Sequence, residues 1–130
     1  MIDGSDRVTF DDPVLLVEDD WNVREALAAV LEDSGHEVEV ASDGAEGLQL
    51  LRAGLRPCVI LLDLMMPVMD GFAFRREQRA DPALVDIPVI VVSCAVTTMD
   101  EVRDMQAAAL LPKPIDFDRM LAVVAELCPS

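Results

Sequence analysis

The sequence predicts an α/β fold: a doubly wound, five-stranded parallel sheet with helices on both faces. Short apolar runs, such as residues 14–17 and 58–62, alternate along the chain with segments of helical periodicity. Strands that alternate with helices in this way form parallel sheets. Runs that are apolar at every position are typical of strands buried on both faces. Right-handed crossovers between such strands then produce the doubly wound topology.

The predicted elements follow the order βαβαβαβαβα. Strands are predicted at residues 14–17, 37–40, 58–62, 87–93 and 110–111. Four of the five helices begin after a residue whose side chain can accept hydrogen bonds from free backbone N–H groups. These caps are Asp20, Ser42 or Asp43, Thr97 or Thr98, and Asp116, and the third helix begins near Gly71. The helices are predicted to end near Ser34, Leu55, Arg79, Ala108 and Leu127.

Length and composition indicate one domain, predicted at residues 13–130 after an N-terminal tail at residues 1–12. Hydrophobic residues make up 52% of the 130 residues, which is enough to form a core. The net charge of −15 disfavours nucleic acid or an anionic membrane as a direct partner. No apolar run approaches the roughly 18 residues of a membrane span, and the polar N-terminus does not resemble a signal peptide. We therefore expect a cytoplasmic protein.

The chain contains three cysteines, Cys58, Cys94 and Cys128. Their number is odd and their spacing matches no zinc motif. Cys58 and Cys94 border apolar strands, where cysteine behaves as a small hydrophobic residue. We expect all three to be reduced thiols.

Polar residues follow four of the five predicted strands. They are the acidic run at residues 18–20, then Asp63, Ser93 and Lys113. Because the carboxyl ends of the strands in an open α/β sheet share one edge, these side chains should meet in one crevice. Clustered carboxylates favour a hard divalent cation such as Mg²⁺. The ammonium and hydroxyl groups suit a phosphoryl group with charge on its free oxygens.

The chain resembles the response-regulator receiver domain of two-component signalling from about Val14 to Leu127. The resemblance is carried by residues 14–20 (VLLVEDD), residues 61–71 (LLDLMMPVMDG), Ser93, and Lys113 with Pro114. It implies a flavodoxin-like sheet with strand order 2-1-3-4-5. It also implies that the bond between Lys113 and Pro114 is often cis, which an X–Pro bond permits.

The resemblance assigns a role to each residue of the crevice. Asp63 would be the phospho-acceptor, and Mg²⁺ the cofactor. Asp19 would bind the metal directly, and Glu18 directly or through water, with Asp63 and the backbone carbonyl of Met65 completing the set. Ser93 would hydrogen-bond one phosphoryl oxygen, and Lys113 would pair with another.

The implied function is a phosphorylation switch. A histidine kinase or a histidine phosphotransfer protein would donate the phosphoryl group to Asp63. The domain would then signal by contact with an unidentified downstream protein, as a stand-alone receiver if the chain is complete. It would catalyse only its own phosphorylation and dephosphorylation, so it is not a conventional enzyme.

Three alternative functions differ in what the site must contain. A haloacid-dehalogenase-type phosphatase needs a second Asp two residues after the nucleophile, where this chain has Met65. A flavodoxin-like cofactor binder needs a phosphate loop after the first strand, where the acidic run would repel phosphate. A docking module that is not switched by phosphorylation remains open, although the chain retains Asp63, Lys113 and the acidic pair.

Some positions depart from the family pattern. Leu110 stands where an aromatic residue is usual, and Met65 and Ala95 stand at the positions that tune dephosphorylation. Residues 106–109 (QAAA) lack the usual glycine turn, so we expect residues 94–109 to form a weakly ordered segment through which the switch acts. We expect His36, between a helix and a strand, to be an exposed loop residue.

Overall fold

The computed structural model describes residues 12–94 and 99–129. The strands are β1 (Val14–Val17), β2 (Val38–Ala41), β3 (Val59–Asp63), β4 (Val89–Ser93) and β5 (Ala109–Pro112). The helices are α1 (Trp21–Asp33), α2 (Gly44–Arg52), α3 (Gly71–Ala80), α4 (Met99–Asp104) and α5 (Phe117–Leu127). The predicted tail, except for Asp12, lies outside the described residues, as do the caps predicted at Thr97 and Thr98. Within the described ranges, no helix is both long and apolar enough to cross a lipid bilayer.

All five strands pair in parallel in the order β2-β1-β3-β4-β5, which confirms the predicted fold class and strand order. The register places Asp63 beside Val92 and Ser93 beside Pro112. The last residues of the strands therefore line up along one edge of the sheet. This alignment brings together side chains that are far apart in sequence.

The sheet is buried on both faces because alternate residues of each strand point to opposite sides. In β1, Leu15 and Val17 belong to one apolar cluster, whereas Val14 and Leu16 belong to the other. The first cluster is covered by α2, α3 and α4, which contribute Leu48, Leu51, Phe74 and Val102, and by Met105 just after α4. The second is covered by α1 and α5, which contribute Leu27, Leu31, Met120 and Val124.

Aspartate caps begin four of the helices. The side chains of Asp20, Asp43 and Asp116 accept hydrogen bonds from the N–H groups of the first helical turn, as predicted. Asp70, which the sequence marked only as a turn residue, caps α3 by accepting from the N–H of Ala73 at 2.8 Å. Two helices are shorter than predicted, since α2 ends at Arg52 and α4 at Asp104.

A buried arginine on α3 fixes the end of α4, a contact that sequence reasoning missed. Arg75 is 7% exposed. Its Nε donates to the carbonyl of Met105 at 2.9 Å, and its Nη2 donates to the carbonyl of Gln106 at 3.3 Å. Its Nη1 donates to Oε1 of Gln78 at 2.7 Å. Within the described part of the chain, uncharged carbonyl and amide oxygens therefore accept the hydrogen bonds of this guanidinium, and no carboxylate pairs with it.

The same contacts explain how α4 ends without the expected glycine. Gln106 adopts a left-handed backbone conformation with a φ of 54°, which an L side chain rarely adopts. Arg79 donates to the carbonyl of Asp104 at 2.9 Å and to Oε1 of Gln106 at 3.3 Å. Together, Arg75 and Arg79 bind three consecutive carbonyls, those of the last residue of α4 and of the two residues that follow it.

The prediction for His36 is wrong, because its side chain is buried, at 4% exposure. The chain leaves α1 through Gly35, whose φ is 97°, and turns His36 under the start of β2. Burial lowers the pKa of His36 from its ordinary value, so the neutral imidazole is favoured in the folded protein.

The prediction of three reduced thiols is also wrong. Cys58 and Cys128 form a disulfide across a sequence separation of 70 residues. Cys58 directly precedes β3, and Cys128 directly follows α5, so only the packing of α5 on the sheet brings them together. Cys94 is a free, exposed cysteine.

We predict that Arg75→Lys lowers the free energy of unfolding by about 2 kcal/mol, because lysine cannot present a planar fork to several acceptors at once. Arg76→Lys is the matched control, since Arg76 is exposed on the same helix and its substitution should change stability by less than about 0.5 kcal/mol. Urea denaturation of both variants measures the difference. Equal stability of the two variants would contradict a supporting role for Arg75.

Candidate functional site

Three acidic side chains converge at the carboxyl edge of the sheet. Glu18 and Asp19 follow β1 directly, and Asp63 is the last residue of β3. One carboxylate oxygen from each of the three lies within 4.8 Å of the others. Glu18 and Asp63 are buried, at 1% and 4% exposure, whereas Asp19 is exposed. The cluster is therefore open to solvent at Asp19 and enclosed below it.

Lys113, which follows β5, supplies the positive charge of the cluster. Its Nζ lies 2.8 Å from Oε1 of Glu18 and 3.4 Å from Oδ2 of Asp63. Burial of this ammonium favours its neutral form, but the hydrogen bond with Glu18 and the charges of Asp63 and Glu18 outweigh that effect. The pKa of Lys113 is therefore raised from its ordinary value, and the side chain stays charged.

The carboxylates are not fully neutralised by this single ammonium. Burial raises the pKa of Glu18, the neighbouring Asp63 carboxyl raises it further, and Lys113 only partly opposes the rise. Three acidic groups sharing one ammonium leave an excess of negative charge in a largely enclosed space. A hard divalent cation such as Mg²⁺ removes that excess and prefers carboxylate oxygens, so the donor set fits this ion.

The backbone around Asp63 has little freedom. The N–H of Met65 donates to Oδ1 of Asp63 at 3.3 Å, and the N–H of Gly71 donates to the carbonyl of Leu64 at 3.0 Å. A Cβ atom at Gly71 would lie 2.7 Å from the carbonyl oxygen of Asp63 and 2.8 Å from the Cα of Leu64. Only glycine lets α3 begin this close to the end of β3, which explains the turn signal seen in the sequence.

Ser93 and Lys113 meet at the ends of neighbouring strands. Ser93 is buried at the end of β4, and its hydroxyl donates to the carbonyl of Cys94 at 2.9 Å. The N–H of Lys113 donates to the carbonyl of Ser93 at 2.9 Å. The peptide bond between Lys113 and Pro114 is cis, as the resemblance implied. The structure thus brings Glu18, Asp19, Asp63 and Lys113 together and places Ser93 at the same edge.

Sequence reasoning missed Arg24. Its Nη1 donates to the backbone carbonyl of Glu18 at 2.8 Å and lies 3.5 Å from that of Asp19. This guanidinium holds the loop that carries the acidic pair. An arginine near the start of a helix gives no sequence signal that separates it from a solvated residue.

Comparison with known proteins identifies the family. The family model for the response regulator receiver domain matches residues 14–125. The chain therefore belongs to the response-regulator receiver family, as its sequence motifs suggested.

Among curated proteins, the chain is 35% identical over 116 residues to the DNA-binding dual master transcriptional regulator RpaA of Synechocystis. That match covers 88% of this chain and 48% of the relative. It is 38% identical over 111 residues to the response regulator MprA of a Mycobacterium species, covering 84% of this chain and 47% of that protein. The chain thus spans about half the length of these relatives.

Solved structures agree with the fold. A response regulator receiver protein from Pseudomonas putida superposes with a TM-score of 0.83 at 27% identity, covering 92% of this chain and 99% of that one. The chemotaxis protein CheY4 of Vibrio cholerae superposes with a TM-score of 0.80 at 30% identity, covering 89% and 98% of the two chains.

We predict that Mg²⁺ binds this acidic cluster without any phosphoryl group present. Trp21, the single tryptophan, is 62% exposed and lies two residues after Asp19, so its fluorescence should report binding. In Asp19→Ala, the affinity for Mg²⁺ obtained from this titration should fall at least about tenfold, because the accessible ligand is lost. Asp33→Ala, an exposed acid at the far end of α1, is the control and should titrate like the unmodified chain. A response that Asp19→Ala leaves unchanged would place the binding elsewhere.

Proposed function

We propose that Asp63 accepts a phosphoryl group from the phosphohistidine of a histidine kinase or a histidine phosphotransfer protein. The observation that carries this proposal is the Lys113 ammonium, which lies 3.4 Å from Oδ2 of Asp63 within the acidic cluster. That arrangement provides a carboxylate nucleophile, a fixed cation beside it and a donor set for a divalent metal. Family membership supports the same function, since phosphorylation with Mg²⁺ is general to receiver domains.

The chemistry of the step is a direct transfer. A carboxylate oxygen of Asp63 attacks phosphorus, the bond from phosphorus to the histidine nitrogen breaks, and its electron pair returns to the imidazole. The carboxylates of Glu18, Asp19 and Asp63 and the backbone carbonyl of Met65 would hold the metal. Mg²⁺ bound there would offset the repulsion between Asp63 and the phosphoryl oxygens. The phosphoryl group stays on Asp63 and is not passed to a second substrate. The domain therefore acts as a switch with two states, unmodified and phosphorylated.

Lys113 and Ser93 respond to the new charge. Lys113 already lies beside Asp63 and pairs with a phosphoryl oxygen after a small shift from Glu18. The Ser93 hydroxyl must leave the Cys94 carbonyl to donate to another phosphoryl oxygen. That rotation alters the backbone that leads toward α4. Since Leu110 offers no ring to reorient, we propose that the change is transmitted through residues 94–109 by a shift in local order.

Exposed apolar side chains around the site support a protein partner. Trp21, Met65, Val68 and Phe117 are 62%, 60%, 85% and 43% exposed, and all lie in segments that follow carboxyl ends of strands. An apolar groove of about 550 Å³ runs between α1 and the segment from Lys113 to Phe117. Apolar surface gathered at one edge is typical of a protein interaction site.

We further propose that the receiver domain signals by protein contact in the cytoplasm, through these exposed apolar side chains. The net charge of −15 disfavours direct binding of nucleic acid by this domain. The name of the relative RpaA includes DNA binding, but this chain spans only 48% of that protein. The proposal concerns the receiver domain, at residues 13–130, whether it works alone or within a longer regulator.

The alternative is a docking module that phosphorylation does not switch. It shares the fold and the apolar rim but makes no use of the acidic cluster. The acidic cluster and its lysine favour the phosphorylated switch, because burying two carboxylates without a function is costly.

We predict that acetyl phosphate with Mg²⁺ adds one phosphate to the chain and adds none to Asp63→Asn, because the amide is not a nucleophile. Intact mass spectrometry measures the addition. Asp20→Asn is the matched control, since Asp20 is an exposed acid near the cluster and asparagine preserves the cap on α1. Phosphate on Asp63→Asn would refute the assignment, and no phosphate on the unmodified chain would favour the docking module.

We also predict that Met65→Asn speeds loss of the aspartyl phosphate on the order of tenfold, because an amide orients the attacking water whereas a thioether does not. Val68→Asn is the control, since Val68 is exposed in the same loop and its φ of 69° suits asparagine. The decay of the phosphorylated mass after removal of the donor gives both rates. An unchanged or slower decay in Met65→Asn would contradict the account.

A further inference from the structure

We propose that Cys58 and Cys128 form a reversible thiol–disulfide site, which links the start of the acceptor strand to the end of the last helix under redox control. The Cα atoms of the two residues lie 5.1 Å apart, within the range that a disulfide requires. Formation of this bond does not depend on the proposed phosphorylation. An effect of the bond on signalling, by contrast, rests on that proposed function.

The site lies at the opposite edge of the sheet from Asp63. Cys58 precedes the five residues of β3, and Asp63 ends that strand. At roughly 3.3 Å per residue, Cys58 and Asp63 are about 16 Å apart. A change in the sulfur chemistry therefore leaves the acidic cluster untouched and acts on the attachment of α5.

The two sulfurs differ in access. Cys58 is partly exposed, whereas Cys128 is 1% exposed and packs in the apolar cluster beneath α1 and α5. A thiolate from solvent reaches the Cys58 sulfur first. Attack there forms a mixed disulfide on Cys58 and releases Cys128 as the leaving thiol.

The reduced state also has a place in the fold. The Sγ of Cys58 lies 3.5 Å from the carbonyl oxygens of both Asp12 and Pro13. A disulfide sulfur carries no proton, but a reduced Cys58 thiol can donate to one of these acceptors. A reduced Cys128 is left among apolar side chains, where a thiol is readily accommodated. The fold can therefore accommodate both the disulfide and the two thiols, which a reversible site requires.

The exchange balances with a common cellular reductant. Two monothiols such as glutathione give up two electrons and two protons, the bond between the two sulfurs breaks, and one glutathione disulfide forms with two protein thiols. The reverse reaction restores the protein disulfide. In the reducing cytoplasm that we propose for this chain, disulfides that form are usually transient or redox-sensing.

Reduction removes the covalent link between α5 and β3. The helix is then held to the sheet by the packing of Met120, Val124 and Leu127 in the apolar cluster. Because the disulfide closes a long loop, its loss should lower the melting temperature by about 10 °C.

Alkylation followed by intact mass spectrometry tests the site on the whole chain without any phosphodonor. The assay uses Cys94→Ser, because glutathione disulfide would otherwise form a mixed disulfide with the free, exposed Cys94 thiol. After incubation with glutathione disulfide, the denatured variant should take up no alkyl group and carry no glutathione. After incubation of the native variant with excess glutathione, it should take up two alkyl groups, and re-oxidation should return the count to zero. Two alkyl groups, or bound glutathione, after oxidation would show that the bond does not form. No alkyl group after native reduction would show a permanent bond, and either result overturns the proposal.

Melting curves in the two redox states give a second measurement. Cys58→Ser should melt at the same temperature with and without reductant, because it cannot form the bond. Cys94→Ser is the control and should keep the full redox-dependent shift of about 10 °C. A shift that persists in Cys58→Ser would assign the redox effect to another group and refute the site. Failure of Asp63 phosphorylation in the separate assay leaves all these outcomes unchanged.

Discussion

The ion pair between Lys113 and the two buried carboxylates, Glu18 and Asp63, is the interaction on which the rest of the site depends. It joins the ends of β1, β3 and β5, three strands of a five-stranded sheet, through one ammonium group. Each partner alone is costly to bury, and together they still leave negative charge in excess. In the proposed function, a divalent cation would remove this imbalance and would then allow a phosphoryl group to approach Asp63.

Close backbone contacts hold the two segments that carry Glu18 and Asp63. Gly71 allows α3 to start against the end of β3, and Arg24 holds the carbonyls of the loop after β1. A second close approach occurs at Gly44, where a Cβ would lie 2.8 Å from the carbonyl oxygen of Met69. Residues outside the acidic cluster thus constrain the backbone that carries Glu18 and Asp63.

Most of the fold followed from local sequence patterns. Apolar runs predicted four strands, and the alternation of valine and glutamate at residues 37–40 predicted β2. Aspartates such as Asp20 and Asp116 marked helix starts. All these signals act within a few residues. The convergence of Glu18, Asp63 and Lys113 was predictable because parallel strands share one carboxyl edge. The burial of His36 was not predictable, because it depends on the direction in which the turn at Gly35 sends the chain. The Cys58–Cys128 bond and the Arg75 contacts were missed because they join residues 70 and about 30 positions apart.

The Arg75 contacts change what a phosphorylation switch in this chain must do. Val102 and Met105 anchor α4 in the core, and the guanidinium of Arg75 holds the carbonyls of Met105 and Gln106. The C-terminal end of residues 94–109 is therefore tied to α3, although the sequence indicated few anchors. In the proposed switch, a rearrangement that begins at Ser93 would meet this fixed end within about a dozen residues. Either the change in order is confined to the part before Met105, or it breaks charge-assisted hydrogen bonds that cost about 1.5–3 kcal/mol each.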